Sequence, residues 1–178
     1  VVVGTWMRVS VFKNEQGDFM EVTDDAGLGE TAGWWYSIEA ADLDADGDLD
    51  LVAGNHGLNS MLKASQEEPV ELWLNDFDKN GIPDPILCTY RDGQSYPIAS
   101  LDELKRQIIG IDRIYTSYKS IGGQTVEEIF GKELLAKSLH KKASTFESAL
   151  FINQGDGTFQ RKVLPMEAQF SPIRDILS

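Results

Sequence analysis

Cysteine is almost missing from this chain. Its 178 residues include one, Cys88, which rules out an intrachain disulfide and a cysteine-based zinc cluster. Cys88 lies in an apolar stretch with nothing nearby to lower its pKa, so a buried, inert thiol is expected there. Histidine is scarce too: His56 and His140 are the only imidazoles, and turn hydrogen bonding is the default role for His56, with a catalytic base as its alternative. No apolar run reaches the ~20 residues of a membrane span. Positive charge is in short supply, 16 Lys and Arg against 29 Asp and Glu, for a net charge of -13. A phosphate backbone would be repelled by most of such a surface, so nucleic acid is not an expected partner.

What the chain does have is 42% hydrophobic residues, 10% aromatics and two acidic runs of one design. Asp42 to Asp50 and Asp76 to Asp84 share the pattern D-x-D-x-[DN]-G-x-x-D. Oxygen ligands at alternate positions of a tight loop converge on one hard cation, and Gly at the sixth position permits the turn that gathers them. The spacing assigns Asp42, Asp44, Asp46 and Asp50 as side-chain ligands of the first loop, with Asp48 offering its backbone carbonyl. In the second loop Asp76, Asp78, Asn80 and Asp84 take the same places and Ile82 gives the carbonyl. Two Ca2+ sites are expected, because Mg2+ prefers a smaller octahedral shell and keeps its waters. Without a cation the crowded carboxylates repel one another, so folding should be coupled to the metal. The second loop carries one carboxylate fewer and should bind more weakly, with Pro83 offsetting part of that by stiffening it.

These are not EF-hands. The twelfth loop positions are Ala53 and Leu87, where an EF-hand needs a bidentate Glu, and the flanks are strand-like instead of helical. Segments 34–41 and 51–54 bracket the first loop, and 70–74 and 85–90 the second, which describes two hairpins clipped by calcium. Repetition runs further: 1–5 aligns with 51–55 as though a loop preceded it, and 12–19 and 151–159 each read as strand, Asn-Gly-type turn, strand. The stretch 169–177 resembles the strand leading into another such loop.

The string at 42–55, the N-x-G-D-G-x-F turn at 153–159 and the segment 164–172 resemble the FG-GAP or VCBS repeat family, closest to its bacterial cell-surface type. Its repeats build the β-propeller of integrin α-subunit heads. The resemblance implies a mainly β fold of propeller blades, with calcium on Asp42, Asp44, Asp46, Asp48, Asp50, Asp76, Asp78, Asn80, Ile82 and Asp84. A closed propeller needs roughly four to eight blades, and 178 residues hold about two to three. A partial propeller spanning 1–178 is therefore expected, with strand edges open to self-association.

Strand signals stop between about 100 and 140. Ser100 with Glu103 and Thr125 with Glu128 fit capping boxes, and two apolar stripes follow: Leu101, Leu104, Ile108, Ile111, then Val126, Ile129, Phe130, Leu134, Leu135. Two helices broken at Gly122-Gly123 are expected. Such an insertion is a common place for function in repeat folds. Its lysines and arginines read as a solvated face.

A non-enzymatic, calcium-binding segment of an exported or cell-surface protein follows as the expected function, a scaffold or adhesion module for a protein or glycan ligand. Extracellular calcium modules bind at roughly 10⁻⁴ to 10⁻³ M, a level the cytosol does not supply. The alternative is part of a secreted carbohydrate-active enzyme using Glu39, Glu71 or Glu167. A calcium sensor ranks last, because sensors pair helix–loop–helix units. Trp34, Trp35 and Tyr36 are adjacent, and since strand neighbours face opposite sides at least one ring is expected in the core.

Overall fold

The computed structural model describes residues 1–177, which fall into two compact units. One holds Val1–Glu67 together with the chain from Lys142 onward; the other is Glu68–Lys141. In chain order the first unit begins with β1 (Thr5–Met7), β2 (Phe12–Glu15), β3 (Asp18–Glu21), β4 (Gly33–Trp34), β5 (Ser37–Ala41) and β6 (Asp50–Gly54). The second unit carries β7 (Val70–Asn75), β8 (Asp84–Arg91), β9 (Gln94–Pro97), five short helices α1 (Leu101–Gln107), α2 (Ile111–Ile114), α3 (Tyr118–Ile121), α4 (Val126–Phe130) and α5 (Lys132–Leu135), and then β10 (Leu139–Ala143), which straddles the boundary. The chain returns to the first unit with β11 (Ala149–Asn153) and β12 (Phe159–Val163).

Two four-stranded sheets dominate, in the orders β12-β11-β6-β5 and β10-β7-β8-β9, beside the two-stranded pairs β1-β4 and β2-β3. The protein is mainly β. In the first sheet β6 hydrogen-bonds to β11 with Ala53 opposite Ala149, so the whole of 68–141 is threaded between two neighbouring strands of one meander. The acidic loops close tight hairpins: Ala41 pairs with Asp50 across the first, and Asn75 with Asp84 across the second.

β6 reads Asp-Leu-Val-Ala-Gly, an almost unbroken apolar run, because it lies in mid-sheet with four of its five residues buried. Around it Trp35, Phe151, Leu51, Leu28 and Val9 form the core of the first unit. Trp35 is 1% exposed; its ring meets Phe151 edge-on at 5.9 Å and its Nε1 donates to Thr31 O at 2.8 Å. It is the core ring that strand alternation requires, while Trp34 and Tyr36 are half-buried. Asn55 is fully buried and stitches three segments. Its Nδ2 donates to Thr145 O, its Oδ1 accepts from Trp34 N, and its own N–H bonds Ser148 Oγ.

Both ends depart from the repeat alignment. Val2 makes only a bridge to Ser10, and a left-handed Trp6, φ 65°, interrupts the extended run. At the other end a 3₁₀ turn, Met166–Gln169, replaces the expected strand, and 171–177 holds no strand. Gln169 is 1% exposed because its amide brackets Ser148, accepting from Ser148 N and donating to Ser148 O. Ile173 then docks on Asn55 O and Ser37 Oγ. That approach depends on Gly54, where a Cβ would run into Ile173 O. Pro172, lacking an N–H, could not extend a ladder there.

In the second unit the helices lay Leu101, Leu104, Ile108, Ile111, Val126 and Leu135 over Ile86 and Cys88. Both capping boxes form: Ser100 Oγ accepts from Glu103 N and Thr125 Oγ1 from Glu128 N, with each glutamate bonding back. The two expected helices are nevertheless divided: Gly110 and Gly131, with positive φ of 84° and 81°, separate α1 from α2 and α4 from α5, and α3 stands as a further single turn before Gly122-Gly123. Ser100→Ala or Thr125→Ala should each cost about 1 kcal/mol, or about 2–4 °C in Tm. The bonds from the cap amides and hydroxyls hold Glu103 and Glu128 below the ordinary carboxylate range. Their contribution is therefore present above the unfolded pKa of about 4.3 and fades as pH falls through the lower folded value. Melting curves of wild type and Ser100→Ala should converge on acidification.

Candidate metal centres

Each hairpin tip gathers three carboxylates. Oxygen atoms of Asp42, Asp44 and Asp50 lie within 4.8 Å of one another, and so do those of Asp76, Asp78 and Asp84. The two loops share one internal wiring. The ninth residue accepts from the second, Asp50 Oδ2 from Leu43 N at 2.9 Å and Asp84 Oδ2 from Phe77 N at 3.0 Å. The first accepts from the sixth, Asp42 Oδ2 from Gly47 N at 3.1 Å and Asp76 Oδ2 from Gly81 N at 2.8 Å. The fifth accepts from the seventh, Asp46 Oδ1 from Asp48 N and Asn80 Oδ1 from Ile82 N. Positive φ at the fourth and sixth positions, Ala45 and Gly47 or Lys79 and Gly81, gives the turn its curl.

The carboxylates at positions one, three and nine converge. Asp46 and Asn80 are engaged with the amide two residues on, and the Ile82 side chain is exposed. Only the ninth residues are buried, Asp50 at 1% and Asp84 at 3%. A buried carboxylate among other carboxylates is costly unless positive charge or donors meet it. A hard cation with oxygen ligands fits this donor set.

Surroundings make the loops unequal. The first is braced by the hairpin between β11 and β12: Asn153 N donates to Asp50 Oδ1 at 2.8 Å and Asn153 Nδ2 to Leu49 O at 3.3 Å. The second is braced by the end of α1, where Ile109 N donates to Asp78 Oδ2 at 2.6 Å. The equivalent aspartates consequently diverge. Loss of hydration and the charges of Asp46, Asp50 and Asp42 push Asp44 above the ordinary carboxylate range, whereas the Ile109 amide pulls Asp78 below it. Asp84 is raised, chiefly by burial. Neither Asn153 nor Ile109 is marked in the sequence as a loop partner, because each reaches its aspartate across more than thirty residues of chain.

Other residues weighed from the sequence fall as follows. Cys88 is fully buried and its thiol is pushed up to about 12, first by desolvation and then by the charge of Glu71. His56 sits within an aromatic group, its Nδ1 3.4 Å from Tyr36 OH and its Nε2 3.2 Å from Ser60 Oγ, and burial lowers its pKa. Glu71 is 3% exposed in the second unit. In the first, Glu39 is half-buried on β5 and Glu167 exposed on the 3₁₀ turn. No helix among the described residues is long and apolar enough to cross a membrane.

Each four-stranded sheet contains one antiparallel hairpin closed by an acidic loop, β5-β6 in one and β7-β8 in the other. Residues 1–53, which run from the first strand through the first loop into β6, match the family model of the FG-GAP-like repeat. No curated protein and no solved structure matches the chain.

Proposed function

We propose that this chain is a calcium-stabilised, non-enzymatic segment of a β-propeller in an exported or cell-surface protein, acting as scaffold or binding module. The observation that carries the reading is the convergence of three carboxylates at both hairpin tips with one shared hydrogen-bond wiring. Asp42, Asp44 and Asp50, with Asp46 and the carbonyl of Asp48, would hold one ion. Asp76, Asp78 and Asp84, with Asn80 and the carbonyl of Ile82, would hold the other. The ion would set positive charge against the buried carboxylates of Asp50 and Asp84, and so tie the hairpin ends together. Nothing in that role calls for turnover.

The FG-GAP-like match and the two blade-like sheets support the propeller, and a calcium requirement supports export, since modules of this affinity fill only at about millimolar calcium. The edge strands β5, β12, β9 and β10 are where further blades or a second copy would add. Partners are proposed to be protein or glycan.

Thermal unfolding with and without calcium tests the reading. At a hundredfold excess over Kd, one site should contribute about 2.7 kcal/mol. Calcium should therefore raise Tm by several degrees, EDTA should reverse it, and Asp44→Ala should remove the share due to the first loop. Superimposable curves in calcium and EDTA would falsify the proposal.

A further inference from the structure

Of the six asparagines in the chain, Asn80 alone is followed by glycine. The pair sits at the tip of the second acidic loop, with both residues exposed. Asparagine before glycine is the dipeptide most prone to lose its side-chain amide. The backbone nitrogen of the following residue can attack the side-chain carbonyl, and glycine carries no side chain to hinder it. Even a Cβ built on Gly81 would meet nothing within 4 Å, so the tip is open on its protein side as well.

Hydrogen bonds of the loop supply what such an attack needs. Gly81 N is the nucleophile, and its N–H donates to Asp76 Oδ2 at 2.8 Å, a carboxylate within reach to receive the proton. The electrophile is the amide carbon of Asn80. Its Oδ1 accepts from Ile82 N at 2.7 Å, a backbone donor that stabilises the charge the oxygen gains as the carbon becomes tetrahedral. Nδ2, the group that must leave, donates to Asp78 Oδ2 at 3.1 Å. The first loop has Asp46 in the same place, with no amide to lose. Asn59, also exposed, precedes Ser60 and is the natural comparison.

We propose that Asn80 is a site of spontaneous deamidation, open while the second loop is empty and closed when an ion fills it. Gly81 N bonds to Asn80 Cγ, the Gly81 proton passes by way of Asp76 to Nδ2, and the Cγ–Nδ2 bond breaks to release ammonia and leave a cyclic imide. Water then opens the ring. Hydrolysis at Cγ gives an aspartate at position 80, and hydrolysis at the backbone carbonyl gives an isoaspartate. The aspartate product matches the ligand set of the first loop and should hold calcium more tightly. The isoaspartate carries an extra methylene in the backbone and spoils the spacing of the ligands. Closure of the site rests on the calcium reading, since an ion held by Asp76 and Asn80 would draw the carboxylate from the Gly81 N–H and fix the amide as a ligand. The reaction in the empty loop does not.

The test incubates the full chain in mildly alkaline buffer with EDTA, with calcium, and unfolded in guanidinium. The peptide bearing Asn80 is followed by mass spectrometry for conversion of amide to acid and for isoaspartate. In EDTA the folded chain should lose the Asn80 amide at least as fast as the unfolded chain does, and well ahead of Asn59. Calcium at a hundredfold excess over Kd leaves about one loop in a hundred empty, so it should slow the reaction by about a hundredfold. Asn80→Gln, whose longer side chain closes the ring poorly, should show no conversion at that position while melting as a folded protein. The inference is overturned if folding slows the reaction in EDTA, if Asn59 reacts as fast, or if Asn80→Gln converts like wild type. Calcium that raises Tm yet leaves the rate unchanged overturns the closure by metal. Calcium that alters neither, with Asn80 still reacting in EDTA, keeps the modification site and removes the calcium reading.

Discussion

Asp50→Ala is expected to destabilise the protein by about 2–4 kcal/mol, since it takes the acceptor from two part-buried backbone amides, at about 1–2 kcal/mol each, and removes a metal ligand. Both oxygens of Asp50 are in use: Oδ2 ties Leu43 N across the loop and Oδ1 ties Asn153 N from the neighbouring hairpin. Asp84 plays the equivalent part in the second loop but is tied to one amide, Phe77 N. Asp84→Ala should therefore cost less than Asp50→Ala in EDTA, where the metal plays no part. Denaturant melts of the two variants measure the order directly. An equal loss in both would mean that the Asn153 contact contributes nothing, and the account of the first loop as the better-braced one would fail. In calcium the gap should widen, because each variant also loses an ion and the first loop, with one carboxylate more, is expected to hold its ion the more tightly.

Trp35→Ala should be comparably severe, about 3–5 kcal/mol, the usual range for emptying an aromatic site in a core. The substitution removes the ring that packs on Phe151 and leaves Thr31 O without its indole donor. Because Trp35 belongs to the first unit, the loss should appear in that unit's amide-exchange protection, with Ile86 and Cys88 in the other unit protected as before. Trp34→Ala is the useful comparison. Its ring is half-buried against Trp6, His56 and Phe146, and its indole donor has no partner to strand. It should cost distinctly less. If the two substitutions proved equal, the alternation that places Trp35 inward and its neighbours at the margin would be wrong.

The acidic loops were legible because ligand spacing is a local property. Alternate aspartates and a sixth-position glycine specify a turn within nine residues, and the hairpins on either side follow from short runs of apolar and β-branched residues. The capping boxes at Ser100 and Thr125 were legible for the same reason. The helices after them were read as too long, since an apolar stripe carries across Gly110 and Gly131 without registering their positive φ. Glu71 stood out as a carboxylate outside the loops, yet its partners did not. His140 lies 69 residues away and meets it only because β10 closes against β7.

By itself, the sequence determined the chemistry that nearest neighbours can express: two acidic hairpin tips, a mainly β chain, an interrupted helical stretch, and a net charge of -13. Tertiary structure alone decided what distant segments do to those tips. It threaded residues 68–141 between β6 and β11, set Asn153 on one loop and Ile109 on the other, and closed His140 against the buried Glu71. The physical reason is that hydrogen bonds within a turn are dictated by spacing along the chain, whereas a contact across dozens of residues depends on which strands pair and in what register. No local pattern encodes that.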